Sequence, residues 1–516
     1  MSSSSFMVAS RTLALMLGLA SALVGPSAFA ADADLNKTVA NSVVKIFSTR
    51  LSPDVGKPWN KQAPTNATGS GVVIEGNRIL TNAHVAMYAS QVEVQGNESG
   101  DKLPAKVEFI APGIDLAILK LEDESFFKTH APLPRASGLP AIKDTVLTYG
   151  YPTGGESQSI TKGIISRIEF VGFGYQTSGL RIQVDAALNP GNSGGPVVAG
   201  DQMIGLAFSI VSNAQSIGYI IPNEEVELFL KDVADGRYDG KPALNENLQT
   251  LENPALRAFL KLDKDFKGMV VAQPKRTQAS YPLKKWDVIT HIGDTSVDSQ
   301  GMVTVDGGLR LSMRYMAQRV AKNDLLPVTL VRSGKTLSVQ VPLITTVPYL
   351  VPLLVNTYPS YFIYGPMVLT KVTANALPGV QSATPASAGS QNALVSWSLQ
   401  GSPLVTKRGL EATKELEELV MVGAPFFPHK ITSGYSPMMY RVIKTINGVP
   451  VRSLAHAVTL LRDMKDEFAT FDVDALEAET PVFRHKDMLA ATDEVLTNNS
   501  IRSQGSEDMM KIWRGQ

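Results

Sequence analysis

The 516-residue sequence contains no cysteine. Disulfides, thiolate nucleophiles and cysteine-ligated zinc are therefore excluded. Export stays open, because an oxidising compartment permits disulfides without requiring them. Histidines number six, and none forms the His-Glu-x-x-His spacing of a zinc hydrolase; no metal and no other cofactor is expected. An excess of either charge is also missing. Lys plus Arg and Asp plus Glu stand at 48 each, so no net field draws the chain to nucleic acid or to an anionic membrane. Only one apolar run approaches membrane length. Arg11 precedes residues 13–24, followed by Pro26 and Ala28-Phe29-Ala30. That run falls short of the roughly 20 residues a spanning helix needs, and it ends in a small-x-small site. It reads as a signal peptide, residues 1–30, cut after Ala30. The mature chain is expected in the periplasm or outside the cell, with no integral membrane segment. The Ser-rich opening leaves an organellar lumen as the alternative.

What is present is an apolar fraction of 44%, ample for packed cores, on a length that implies two to four domains. From about residue 43 to 222 short strands alternate with Gly, Asn and Pro. Residues 71–74, the Gly76-Asn77 turn and residues 78–81 carry a hairpin signature. Residues 180–184 alternate as a strand, and residues 196–198 join 203–208 across Ala199-Gly200-Asp201. Such spacing, without long helical patterns, points to an all-β barrel or sandwich. Residues 224–233 read as one closing helix and 236–242 as a linker. Beyond it the character changes. Trp286-Asp287-Val288-Ile289 and the eight residues after it parallel Tyr440-Arg441-Val442-Ile443 and its own continuation. Each copy is a strand, a turn and a strand followed by a helical pattern, which predicts two related α+β modules. In the first, Leu309, Met313, Met316, Ala317 and Val320 share a helical face; in the second, Leu454, Val458 and Leu461 do. Residues 374–400, rich in Ala, Ser, Gly and Pro, read as an inserted flexible loop.

The strongest chemical signal is Gly191-Asn192-Ser193-Gly194-Gly195-Pro196, between two strands. A serine hydroxyl is a weak nucleophile, so it needs a base within reach and donors for the developing oxyanion. Glycines around Ser193 allow a tight turn that aims backbone N–H groups at one point; those of Gly191 and Ser193 are the candidate oxyanion hole. The candidate base is His84, in Thr81-Asn82-Ala83-His84 at a strand end. The candidate orienting acid is Asp115, in Ile114-Asp115-Leu116-Ala117-Ile118-Leu119, where one carboxylate enters an apolar strand. A lone acid there is costly unless paired, and an imidazole N–H is a natural partner. Each element has a structural reading: a glycine-rich hairpin turn, a capping histidine, a buried acid. Together, in the order His, Asp, Ser, they point to a Ser-His-Asp hydrolase.

These three segments, with Asp185-Ala186-Ala187-Leu188-Asn189-Pro190 leading into the serine motif, resemble the HtrA/Deg serine proteases. Ile217-Gly218-Tyr219-Ile220-Ile221-Pro222 is similar to that family's pocket-closing segment. Glu252-Asn253-Pro254-Ala255-Leu256, Pro359-Ser360-Tyr361-Phe362 and the ending through Trp513 resemble its plant-type Deg subgroup. The resemblance implies an all-β chymotrypsin-like double β-barrel protease followed by two α+β PDZ-like domains. The corresponding boundaries are residues 31–236 for the protease, 240–345 for the first PDZ domain and 350–516 for the second, with its inserted loop and C-terminal extension. It further implies a serine endopeptidase acting on unfolded or damaged polypeptides in protein quality control, as a homotrimer or hexamer. Leu188 and Ile210 are implied to line the pocket for the residue preceding the cut. A non-catalytic PDZ chaperone or scaffold for unfolded clients is the alternative, disfavoured because every catalytic position is filled. Asn192 departs from digestive relatives, which carry an acid there that pairs with a freed amino terminus. Activation is instead expected through loop ordering, with residues 172–179 as the candidate loop.

Overall fold

A computed structural model describes residues 37–516 apart from 154, 174–176, 211–217, 277, 378–387 and 477. The expected signal peptide and its cleavage site lie outside the described residues.

Among the described residues, two closed antiparallel barrels of six strands each come first. Strands β1 (Val43–Arg50), β2 (Thr65–Ile74), β3 (Arg78–Thr81), β4 (Ala89–Gln95), β5 (Lys102–Ala111) and β6 (Leu116–Leu121) close the first. The β2–β3 hairpin expected from sequence forms with Ile74 opposite Arg78. Its turn takes left-handed backbone at Gly76 and Asn77, φ 81° and 54°, residues that tolerate it. A one-turn helix α1 (Ala83–Ala86) follows β3. The second barrel comprises β7 (Thr145–Gly150), β8 (Ser159–Phe173), β9 (Thr177–Val184), β10 (Pro196–Ala199), β11 (Gln202–Ile210) and β12 (Gly218–Pro222). Helix α2 (Asn223–Asp232) packs Val226 and Phe229 onto the seam between the barrels, against Leu80, Leu116, Tyr149 and Leu206. That shared apolar layer fixes the spacing of the two barrels, and the serine and histidine loops lie on either side of it.

Residues 172–179 are largely not a loop. Strands β8 and β9 pair as far as Phe173 opposite Thr177; residues 174–176 lie outside the described set. The period-two alternation of the flanking sequence outweighs its glycines.

The first α+β module is built on a sheet containing β13 (Asn247–Thr250), β14 (Met269–Gln273), β15 (Val288–Ile292), β16 (Thr295–Ser296), β19 (Leu325–Arg332) and β20 (Lys335–Pro342). Between these come helix α3 (Pro254–Phe259), the hairpin β17 (Met302–Val305) and β18 (Leu309–Ser312), and the short helix α4 (Met316–Val320). The single helical face read from 309 to 320 is thus split. Leu309 begins a strand, because Gly307 and Gly308 take left-handed backbone (φ 72° and 75°) and turn the chain back on β17. The apolar core of this module is continuous with that of the second barrel.

The second module has strands β21 (Tyr361–Tyr364) and β22 (Met367–Lys371), then helices α5 (Ala388–Leu399) and α6 (Pro403–Thr406), and strand β23 (Val420–Val422). After these come β24 (Ile443–Ile446), β25 (Val449–Pro450), helix α7 (Leu454–Arg462), β26 (Phe468–Val473), β27 (Val482–Arg484), α8 (His485–Asn498) and α9 (Glu507–Trp513). Leu454, Val458 and Leu461 are all buried on α7, as their spacing implies. The repeat shows in backbone geometry as well as sequence. Trp286 and Tyr440 both have positive φ, 73° and 64°, and their N–H groups donate to matching strand carbonyls, Val271 and Val422. The segment expected as a loop at 374–400 contains the twelve-residue helix α5; its Ala, Leu and Gln content supports a helix, whatever its low complexity suggests.

Candidate active site

His84 is held on α1, one turn beyond β3, rather than at the strand end itself. Asp115 sits in the turn that precedes β6, with left-handed backbone at φ 59°, and not inside the strand. That conformation is among those Asp tolerates better than most residues. It lets one carboxylate face His84 with both oxygens. Oδ2 meets the imidazole Nδ1 at 2.7 Å, and Oδ1 accepts the backbone N–H of His84 at 2.8 Å. Asn82, buried beside them, donates its amide to the Asp115 carbonyl at 2.9 Å. Arg50, at the end of β1, donates to the His84 carbonyl at 3.1 Å.

The His84 pKa is raised above its ordinary 6.5. Burial is the largest single influence and opposes the charged ring. The Asp115 carboxylate, through its charge and its hydrogen bond, outweighs burial, while the Arg50 guanidinium pulls the other way.

The serine loop is shaped by hydrogen bonds from the opposite barrel, from its own barrel and within itself. Ser70 on β2 donates its N–H to the Ser193 carbonyl at 2.9 Å and its hydroxyl to the Gly191 carbonyl at 2.7 Å. The same hydroxyl accepts the Tyr151 N–H at 2.8 Å. Thr153 N–H binds the Pro190 carbonyl at 2.7 Å, and Gly195 N–H binds the Asn192 carbonyl at 2.9 Å. In a planar trans peptide the C=O and N–H point in opposite directions. Tying back the carbonyls of Pro190 and Asn192 therefore turns the N–H groups of Gly191 and Ser193 away from those contacts. Among the described residues neither N–H has an internal acceptor. Only glycine fits at 191: φ is 100°, and a Cβ would lie 2.4 Å from the Tyr151 carbonyl oxygen.

The Ser193 hydroxyl donates to the Phe208 carbonyl at 3.2 Å, and among the described residues it makes no hydrogen bond to the His84 ring. The hydroxyl is thus parked on a main-chain carbonyl. Catalytic hydrogen bonds are often incomplete without substrate. Asn192 is buried, and its Oδ1 has no partner among the described residues.

Of the two pocket residues, Leu188 is buried, and a Cβ at Gly218 would fall 2.6 Å from its Cδ1. Gly218, having no side chain, leaves room for Leu188 to pack directly against it. The backbone of Ile210 pairs with Gly218; its side chain lies outside the described set. Ser70 is a site residue that sequence reasoning passed over. Its signal was there in Gly69-Ser70-Gly71, a hydroxyl between glycines at the head of an apolar strand. Among the described residues, no group of three or more His, Asp or Glu side chains is placed to hold a metal. No described helix is long and apolar enough to cross a membrane.

A trypsin-like peptidase domain model matches residues 69–206, and a PDZ domain model matches residues 352–508. Protease Do-like 2, chloroplastic, of Arabidopsis thaliana is 33% identical over 480 residues, 91% of this chain and 76% of its own length. Protease Do-like 4, mitochondrial, from the same plant is 31% identical over 472 residues, 91% of this chain and 85% of its own. The solved HtrA-type protease AlgW with decapeptide is 26% identical, with a TM-score of 0.48, over 61% of this chain and 99% of that one.

Proposed function

We propose, for a chain that belongs to the HtrA/Do-like family of serine endopeptidases, that Ser193, His84 and Asp115 carry the peptide-bond chemistry. The observation that supports this most is the pairing of both Asp115 oxygens with one histidine, together with a serine loop whose Gly191 and Ser193 N–H groups have no internal acceptor among the described residues. With a polypeptide bound, Ser193 turns from the Phe208 carbonyl, and its Oγ attacks the scissile carbonyl carbon while His84 takes its proton. Asp115 holds the tautomer that leaves the far ring nitrogen open as acceptor, and it stabilises the imidazolium formed. The N–H groups of Gly191 and Ser193 receive the oxyanion. His84 returns its proton to the leaving amine, and water repeats the sequence on the acyl-enzyme.

The pH dependence follows from the raised His84 pKa. The protonated ring cannot act as base, so kcat/KM rises with pH and levels only above the raised value. The acid limb is expected above pH 6.5, at a position read from initial rates on an unstructured peptide between pH 5 and 9. A limb below 6.5 counts against Asp115 as the partner that sets it.

Leu188 and Ile210 are proposed to line the pocket for the residue preceding the cut, and their apolar side chains offer no partner for a charge. Cleavage after Val, Ile or Ala is expected, since a charge desolvated there would be unpaired. Mass-spectrometric mapping of cut sites in a denatured protein checks this; a majority of cuts after Lys, Arg or aromatic residues overturns it.

The wider role we propose is quality control of unfolded or damaged polypeptides, delivered by two PDZ modules bounded near residues 240–345 and 350–516, in a homotrimer or a hexamer made from trimers. An exported chain and an organellar one remain the two settings; relatives named as chloroplastic and mitochondrial support the second. Casein digestion by wild type and Ser193→Ala tests the central reading.

A further inference from the structure

Near Asp115 lies a buried cation that the proposed mechanism does not use. Arg181 on β9 is 2% exposed. Burying a guanidinium costs free energy unless its charge and donors are met. Burial pushes its pKa down to about 10, opposed by the charges of Glu225 and Asp115. Its Nη1 donates to the Leu180 carbonyl at 2.7 Å and its Nη2 to the carbonyl of Ile114, the residue before Asp115, at 3.3 Å. The guanidinium also stacks 4.8 Å from the ring centre of Phe208, whose own carbonyl holds the Ser193 hydroxyl. One side chain therefore touches the turn carrying Asp115 and the residue that parks Ser193.

Arg181 is itself fixed. Glu225 on α2, fully buried, accepts the Leu180 N–H at 2.7 Å and pairs with Lys241 of the linker at 2.7 Å. Gln318 on α4 of the first PDZ-like module donates to Glu225 at 3.2 Å and accepts from Lys241 at 3.0 Å. Two buried cations, Arg181 and Lys241, thus balance two buried anions, Asp115 and Glu225.

We propose that Arg181 is a positioning residue for the protease reaction: it pins the turn before β6 so that both Asp115 oxygens stay on His84. The inference rests on the assignment of Asp115 and His84 above. The turn has reason to need a pin, because Asp115 holds left-handed backbone and Gly113, two residues before it, offers no side chain to brace it.

Arg181→Met keeps much of the side-chain length and removes the charge and the fork. It is expected to lower kcat by about 10²-fold, the scale of an ångström-level misplacement of a reacting group. KM is expected to stay unchanged, since Arg181 does not face substrate. The acid limb of kcat/KM should move down toward an ordinary imidazole value as Asp115 loosens. The charged groups involved are Asp115 and Arg50 around His84, and Asp115, Glu225 and Lys241 around Arg181. Arg181→Lys restores a cation, but one ammonium does not fork across two carbonyls. It should show the same changes in smaller measure, and it keeps the test available if the Met variant does not fold. Wild-type kcat and an unmoved acid limb in a folded variant, with only the melting temperature lowered, overturn the proposal. So does an acid limb that moves up, the result of losing a positive charge while Asp115 stays seated. If Ser193→Ala abolishes cleavage and Arg181→Met does not weaken it, this inference alone fails. If Ser193→Ala cleaves like wild type, the triad reading beneath it fails.

Discussion

Ser193→Ala is expected to lower kcat for casein or an unstructured peptide by at least about 10⁴-fold, the scale of losing the nucleophile from such a triad. The fold should be untouched. The hydroxyl makes a single described hydrogen bond, to the Phe208 carbonyl, and what shapes the loop is backbone: the Ser193 carbonyl on Ser70 and the Gly195 N–H on the Asn192 carbonyl. Alanine retains all of this and removes one atom, too little to leave a damaging cavity. Its melting curve should therefore overlie that of the wild type. Residual cleavage within tenfold of wild type sinks the assignment. The variant also separates the two functional readings. If capture of unfolded clients is a property of the PDZ modules, Ser193→Ala should still suppress aggregation of a denatured client while cutting nothing.

The parts of this molecule that were legible in sequence are those set by neighbouring residues. The β2–β3 hairpin follows from period-two alternation around Gly76-Asn77. The serine loop follows from glycines whose conformations only glycine reaches, Gly191 above all. The α7 face follows from Leu454, Val458 and Leu461 at helical spacing. What stayed hidden depends on distant partners. Leu309, Met313 and Met316 satisfy a helical period, yet Leu309 pairs with Val305 in a hairpin, because pairing energy and a Gly-Gly turn decide the matter locally. Asp115 read as a strand residue because four apolar residues follow it. Its left-handed turn is dictated by His84, 31 positions earlier, and nothing adjacent reports that. Arg181 read as one polar position in an alternating strand. Its burial makes sense only once Ile114, 67 positions earlier, and Glu225 on α2 are brought beside it.

Asp115→Asn is the sharper test of the site, because it changes one atom type at a residue whose backbone conformation asparagine also tolerates. Aspartate offers two acceptor oxygens, and both are in use: Oδ1 on the His84 N–H at 2.8 Å and Oδ2 on Nδ1 at 2.7 Å. Asparagine offers one oxygen and an amide NH₂ that only donates. If its oxygen stays on the backbone N–H, the NH₂ faces Nδ1 and forces the proton onto the other ring nitrogen, the one that must accept from Ser193. If the amide flips, its NH₂ meets the backbone N–H of His84 and α1 is pushed from its place. Either arrangement removes the base, and kcat is expected to fall about 10⁴-fold. KM should hardly change, because Asp115 is buried behind the histidine. The upward influence of the carboxylate on His84 also disappears, so the remaining activity should show its acid limb at lower pH than in the wild type. A loss of less than tenfold, with the acid limb where the wild type has it, would mean that another group orients His84 and that the carboxylate serves only to hold the turn.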